Sequence, residues 1–466
     1  GQILHHNHLL IEAALELELL IMNDPSVWQI SIYLVKLFGG VDLNTDMACF
    51  IHYHTRLNAL LQTAFHSEEI IQIESIRENA YEDKFPDNIS SPKNVIFLSK
   101  SPLIRLTKLR DAVQRAGITV ALLAPSEVEF QEEYLSGFDT VNRYNNLSDI
   151  WRYLENTDAQ AVHSFTTTDA GTLDALAAYV CVPSRFVYDV YDVPGPEISA
   201  ISRVTFDDKL TTQMNANMAL HRVIIDQGSN ICTRSIYPKF LKTPLSNVRQ
   251  ARIFIPEPCI KDYTAAPKLS EVDGKLHIVH GGSFLTEKSG DSPWSSLLWL
   301  AERAEKLDVH FHLYAMPWVG QDMSEYESIS EHSANFHNHG YLPYDQWMSE
   351  ISKYDIGMFY VHPADEKHLA KTPRAIDPSG AWSNKISDYI DAGLYTVISN
   401  KYRLMAWYVG RYGVGQGVAL DQVLEKSFWD DLRQKVFSSR DNFKNARKPL
   451  KQEAIGERLA KFYQSL

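Results

Sequence analysis

From residue 94 onward, short apolar β-branched runs alternate with stretches of helical periodicity. No other feature constrains the fold of the chain as tightly. "VIFLS" (95–99) is followed by a helix over 103–116, by Gly117, and by "TVALLA" (119–124). "AVHSF" (161–165) precedes a helix over 170–180, for which Asp169 is the expected N-cap. "RFVYDV" (185–190) and "RVIID" (222–226) extend this first series of strands. A second series opens near Lys275 with "LHIVH" (276–280) and a helix over 293–307. It continues through "VHFHLYAM" (309–316), "ANFHN" (334–338), "DIGMFYV" (355–361) and "YTVIS" (395–399). Parallel strands need a crossover, and a helix supplies it, so each series predicts an open parallel α/β unit.

The text before this alternation is different. Apolar residues recur at helical spacing over 9–22, 26–38 and 46–81, and the polar loop "EDKFPDNISSPKN" closes the stretch. The expected organisation is a helical extension over 1–90 and a Rossmann-like unit over 91–262. A second Rossmann-like unit follows over 263–445, and then a C-terminal helix over 446–466. "IPEPCIKDYTAAPKLSEVDG" reads as the linker. The formal net charge of -13 over 466 residues excludes a general nucleic-acid binder, which needs a basic footprint. Cys49, Cys181, Cys232 and Cys259 show no CxxC spacing and read as free thiols. No apolar run reaches membrane-spanning length and no signal-peptide pattern is read, so the cytoplasm is the expected location, with peripheral membrane contact left open.

In open α/β sheets ligands sit at the carboxyl ends of the strands, here in a cleft expected between the two units. Gly281 and Gly282 directly follow the first strand of the second series. Glycines there admit a phosphate close to the backbone, the next helix N-terminus adds positive potential, and Lys288 could reach back to the same anion. In "SNKISDYIDAGLYTVISN" (383–400), Asn384 and Lys385 precede Asp388, and Gly393 stands where a helix C′ residue would. Lys385 and Asp388 share a helix face, either as a surface ion pair or as ligands for a phosphate and for sugar hydroxyls. Lys100 and Ser101 follow the first strand of the first series and face the acceptor side. The helix over 103–116 carries Arg105, Lys108, Arg110 and Arg115, read either as a solvated face or as one meeting anionic lipid. His-x-His pairs at His52/His54, His310/His312 and His337/His339 are read as structural, because spacing places no third metal ligand beside them.

Together "HGGSFLTEKSG" and "NKISDYIDAGLYTVISN" resemble the C-terminal domain of GT-B glycosyltransferases, family 4 and its relatives. Against that family's Gly-Arg-Leu-x-x-x-Lys-Gly, Gly282 and Lys288 match the glycine and the lysine, while Ser283 stands at the arginine. Against its Asn-Lys-x-x-Glu-Tyr-x-x-x-Gly, Asn384, Lys385, Tyr389 and Gly393 match, and Asp388 replaces the glutamate. The family's second glutamate falls on Gly380, with Asp377 in the neighbouring loop. The resemblance implies that Gly340, Tyr341 and Leu342 lie beside the nucleotide base and that His362 sits at the mouth of a strand. It also makes the unit over 91–262 the acceptor side and the unit over 263–445 the donor side, and returns the helix over 446–466 to the first unit. It places His163 and Asp192 on the acceptor side, with Tyr191 where the family has histidine. Asp192 would be a general base or a loop cap, and His163 a catalytic group or a hydrogen-bonded strand-end histidine. The implied activity is metal-independent hexosyl transfer from a nucleotide-diphosphate sugar to a glycan, lipid-linked or protein acceptor, with lysines and helix dipoles neutralising the leaving group. A non-catalytic GT-B module and a sugar-nucleotide epimerase of the same fold are the alternatives.

Overall fold

The computed structural model describes residues 94–130, 132–145, 147–166, 171–191, 221, 224, 230–235, 251–263, 267–284, 297–317, 322–360, 380 and 382–466. The helical extension expected over 1–90 lies outside them. The chain divides into two units, Gly1–Ile255 with Gly456–Leu466, and Pro256–Ile455.

In the first unit the described strands are β1 (Asn94–Ser99), β2 (Thr119–Pro125), β3 (Thr140–Tyr144), β4 (Ala161–Phe165), β5 (Phe186–Val190), β6 (Asn230–Thr233) and β7 (Arg252–Phe254). All pair in parallel, in the order β3-β2-β1-β4-β5-β6-β7. Every residue of β4 and β5 is buried, as strands covered by helices on both faces must be. The order reverses between β1 and β4, which makes the carboxyl ends of those strands the topological switch point. The helix Ile104–Arg115 packs through Leu106, Leu109, Ala112 and Val113, three and four residues apart. The C-terminal helix Gln452–Gln464 crosses it closely. A Cβ on Gly456 would run into the Ala112 carbonyl, so only glycine permits that approach.

The second unit holds β8 (Leu276–Phe284), β9 (Val309–Pro317), β10 (Phe336–Asn338), β11 (Ile356–Phe359), β12 (Tyr395–Ser399) and β13 (Gly415–Val418). They too are parallel, in the order β10-β9-β8-β11-β12-β13, with the switch point between β8 and β11. Alternate residues feed two cores. Ile278, Phe311, Met358 and Val397 pack with Trp429 in one, and Val279, Tyr314, Met348, Tyr354 and Tyr389 form the other.

Several expectations need correction. The strand expected at "RVIID" fails at its one described residue: Ile224 is helical, as is the neighbouring His221, and both are buried. A short apolar β-branched run reads equally as strand or buried helix, and here the three-residue spacing decides for the helix. The helix expected from Ala170 begins at Thr172, with Gly171 at φ 84 as its N-cap residue and no side-chain cap. Asp169 lies outside the described residues. The linker segment begins where the two units divide, and its described residues are packed: Cys259 is buried and its N–H donates to the Leu450 carbonyl at 2.7 Å, while the Lys268 ammonium donates to the Ser352 carbonyl at 2.9 Å. The basic helix face is overturned as well. Arg105, Lys108 and Arg110 are buried and Arg115 is exposed, which leaves no such face for lipid or solvent. Arg110 turns onto the Phe138 ring and bonds Asp111 and the Tyr134 carbonyl. Among the described residues, no helix is long and apolar enough to cross a membrane.

Candidate functional site

The best-supported site lies at the carboxyl end of β8, beside the switch point of the second unit. β8 does not stop at His280 as the sequence suggested. Pairing with β9 continues through Gly281 opposite Tyr314, Gly282 opposite Ala315 and Ser283 opposite Met316. The two glycines therefore belong to the strand, and each has its own reason. The ring of Trp347 occupies the space a Cβ on Gly281 would take. Gly282 sits at φ 101, a conformation that side chains rarely adopt. A Cβ there would lie 3.3 Å from Cε and 3.4 Å from Nζ of Lys385. The lysine ammonium is thus held against bare backbone at a strand end.

Lys385 occupies the first turn of the helix Asn384–Asp391. Ser383 caps this helix, its hydroxyl accepting the Lys385 N–H at 3.4 Å. The helix N-terminus adds partial positive charge to the lysine's full one. Two side chains fix the helix in place. Ser387 donates to the Glu257 carbonyl at 2.7 Å, Tyr389 donates to the Met358 carbonyl at 3.2 Å, and the Tyr389 ring fills the space above Gly357. Gly393, at φ 67, ends it as the C′ residue. Asp388 is buried and accepts the Tyr344 hydroxyl at 2.8 Å. His280, buried behind the site, meets the Met358 carbonyl at 2.8 Å through Nδ1. Burial first, and the Lys385 charge second, hold its imidazole down at about 3.

Of the other residues expected here, Tyr341 is exposed and Leu342 packs against the Tyr314–Met348–Tyr389 core just after Gly340, which is at φ 74. Gly380, where the family has a carboxylate, is buried. Lys288, His362, Asp192 and Asp377 lie outside the described residues. Tyr344 and Trp347 were not anticipated. Both belong to the helix Tyr344–Ile351, and no local motif marks them; only packing brings them to Asp388 and Gly281.

In the first unit Lys100 and Ser101 follow β1 at its switch point, as expected. Lys100 pairs with Glu127 at 3.2 Å, and the Ser101 carbonyl accepts the Ser99 hydroxyl at 2.8 Å. His163 needs correction. It sits in the middle of β4, fully buried, with Nδ1 2.6 Å from the Tyr463 hydroxyl and Nε2 3.3 Å from Asp189. Asp189 in turn takes two bonds from the buried Arg105 guanidinium, each 2.9 Å. Burial alone would raise the Asp189 carboxyl, but Arg105 outweighs it and holds the group at about 2. With both ring nitrogens engaged and no exposure, His163 is a core group that ties the C-terminal helix to the sheet, not one offered to an acceptor.

No family model matches the chain, and no curated protein matches it. Among solved structures it is similar to HepE of Anabaena, determined in complex with UDP and glucose. The TM-score is 0.54 at 11% identity, covering 80% of this chain and 100% of that one. The chain has the GT-B fold. At 11% identity this likeness bears on the fold alone. The GT-B chain also overlaps AviGT4, a glycosyltransferase involved in avilamycin A biosynthesis, at TM-score 0.49 and 14% identity, over 80% of this chain and 97% of that one. It overlaps the UDP-GlcNAc 2-epimerase of Neisseria meningitidis at TM-score 0.44 and 11% identity, over 80% of this chain and 100% of that one. These two, below 0.5, establish nothing further.

Proposed function

We propose that this GT-B chain is a glycosyltransferase whose second unit binds a nucleoside-diphosphate sugar. One observation carries the reading: the Lys385 ammonium lies against the bare backbone of Gly282, at a helix N-terminus and a topological switch point. A diphosphate is the ligand that matches backbone access, a fixed cation and a helix dipole converging on one spot. In this reading Lys385 and the helix N-terminus stabilise the negative charge that develops on the departing nucleoside diphosphate. Lys288, known here from sequence alone, would add a second cation, so the design needs no divalent ion. Asp388, oriented by Tyr344, is the candidate partner for donor hydroxyls. Asp192 is the sequence's candidate for the base that takes the acceptor's proton.

The test is calorimetric titration of the full chain with UDP, GDP and ADP, followed by donor-hydrolysis and transfer assays. Saturable binding of at least one diphosphate is expected. Lys385→Ala should weaken it by about 10- to 100-fold, the worth of one charge-assisted hydrogen bond. Gly282→Val should weaken it similarly, by placing a side chain where the phosphate approaches. Binding that neither substitution changes would remove the diphosphate from this site. Tight binding without hydrolysis or transfer would favour the non-catalytic reading, and Gly380 in place of a carboxylate is the observation on its side.

A further inference from the structure

Two of the histidine pairs that spacing left without a third metal ligand, His310/His312 and His337/His339, gain histidine and carboxylate neighbours in three dimensions. β8 pairs with β9 so that His277 lies opposite His310, and β9 pairs with β10 so that His312 lies opposite His337. Alternation along each strand then gathers His277, His310, His312, His337 and His339 on one sheet face, their rings stacked at centroid separations of 4.4 to 5.3 Å. At one end of this row stands Asp273, the last residue of the helix Ser270–Asp273. Its Oδ1 accepts the Lys275 N–H at 2.9 Å, which fixes the carboxylate. Its Oδ2 lies 3.0 Å from His277 Nε2 and 3.6 Å from His310 Nε2.

We propose that Asp273, His277 and His310 form a site for a divalent transition-metal ion, with zinc the best match. The three donor atoms lie within 4.8 Å of one another. Tetrahedral zinc with bonds of about 2.0–2.1 Å requires ligand atoms roughly 3.3 Å apart, and the two separations from Asp273 Oδ2 bracket that value. Two imidazoles and one carboxylate leave a fourth position open, and imidazole favours zinc over magnesium or calcium. The surroundings supply what a ligating histidine needs on its far side. His277 Nδ1 is 2.9 Å from His312 Nε2, and His312 Nδ1 is 2.9 Å from His339 Nε2. His310 Nδ1 is 3.0 Å from His337 Nε2. If each Nδ1–H donates outward along these chains, both Nε2 lone pairs face Asp273. An ordinary ion pair would need one histidine; here one carboxylate oxygen serves two, each backed by a further imidazole. Lys275, whose charge would oppose a cation here, pairs with Asp308 at 3.4 Å. His277 precedes Gly282 by five residues of one strand, roughly 16 Å at the strand rise, so this site is separate from the proposed diphosphate cradle.

The full chain, stripped of metal with a chelator and desalted, is titrated with zinc chloride by calorimetry, beside an Asp273→Asn/His310→Gln variant. The histidines near the N-terminus, His5, His6 and His8, are common to both chains and serve as background. The wild type should bind one zinc ion per chain more than the variant, with unchanged circular dichroism, and excess magnesium should not displace it. Cobalt should give visible d–d absorption in the wild type that His310→Gln abolishes. His337→Phe, which removes only an outer partner, should weaken zinc by about 10- to 100-fold. Equal zinc stoichiometry and affinity in wild type and variant, or a cobalt band that survives His310→Gln, would overturn the proposal.

Discussion

Arg105 lies fully buried, its guanidinium clamped on Asp189 and, through Asp189, on His163 and Tyr463. An ion pair taken out of water is stabilising only while both partners remain. Removing one strands the other's charge in a medium that cannot solvate it. Arg105→Met should therefore lower unfolding free energy by about 3–5 kcal/mol in urea titrations, whereas the Arg105→Met/Asp189→Leu pair should recover most of the loss. If the single and double variants prove equally unstable, the pair is not what the core depends on. The contrast with Lys385 is instructive at the same scale. Lys385 is only partly buried and faces backbone at a strand end, so its loss should register in ligand binding rather than in stability.

At the scale of elements, the C-terminal helix Gln452–Gln464 is joined to the first unit by a close crossing and a polar latch. Ile455, Leu459, Phe462 and Tyr463 are buried, and Gly456 meets the backbone of the helix Ile104–Arg115. An internal helical glycine replaced by alanine ordinarily gains about 1 kcal/mol. Here the added methyl would strike the Ala112 carbonyl, which is backbone and cannot swing aside, and overpacking costs about 1–3 kcal/mol. Gly456→Ala should lower the Tm of the full chain despite its better propensity, and Gly456→Val should lower it further. A raised Tm in the alanine variant would mean the helices do not cross as closely as described. The helix Asn384–Asp391 follows similar logic: its anchors, Ser387 and Tyr389, point into the unit and leave Lys385 at its exposed start.

For the molecule as a whole, buried histidines set the response to acid. His280 is held at about 3 against an ordinary 6.5, chiefly by burial, and burial likewise lowers His163. Below pH 6.5 the unfolded chain takes up protons that the folded chain refuses, so folding stability falls as pH falls from there toward 3. Asp189 acts in the same direction at lower pH. Its carboxyl, held at about 2 against 3.8, contributes stability above 3.8 that is lost as pH falls toward 2. Urea midpoints measured between about pH 8 and 5 should decline on the acid side, and His280→Asn should flatten that decline. A midpoint constant across this range would show that these histidines titrate alike in both states.

The α/β class, most of the parallel strands and the Gly282 and Lys385 motifs were legible in the sequence. They rest on local rules: strand length, apolar runs between turns, and the glycines and caps that end elements. β3, β6, β7 and β13 escaped for the same reason. The first carries exposed residues at a sheet edge, and the other three are short and break the apolar pattern. Whatever depends on strand order was decided only by the tertiary structure. Spacing placed Arg105 on a basic helix face, but the neighbouring strand put Asp189 beneath it. Spacing left His310 and His312 a bare pair, but parallel register set His277 and His337 beside them and a separate turn brought Asp273. Periodicity says which residues share one element's face; it cannot say what the next element sets opposite. The partners of a buried charge or a ligand cluster are chosen there.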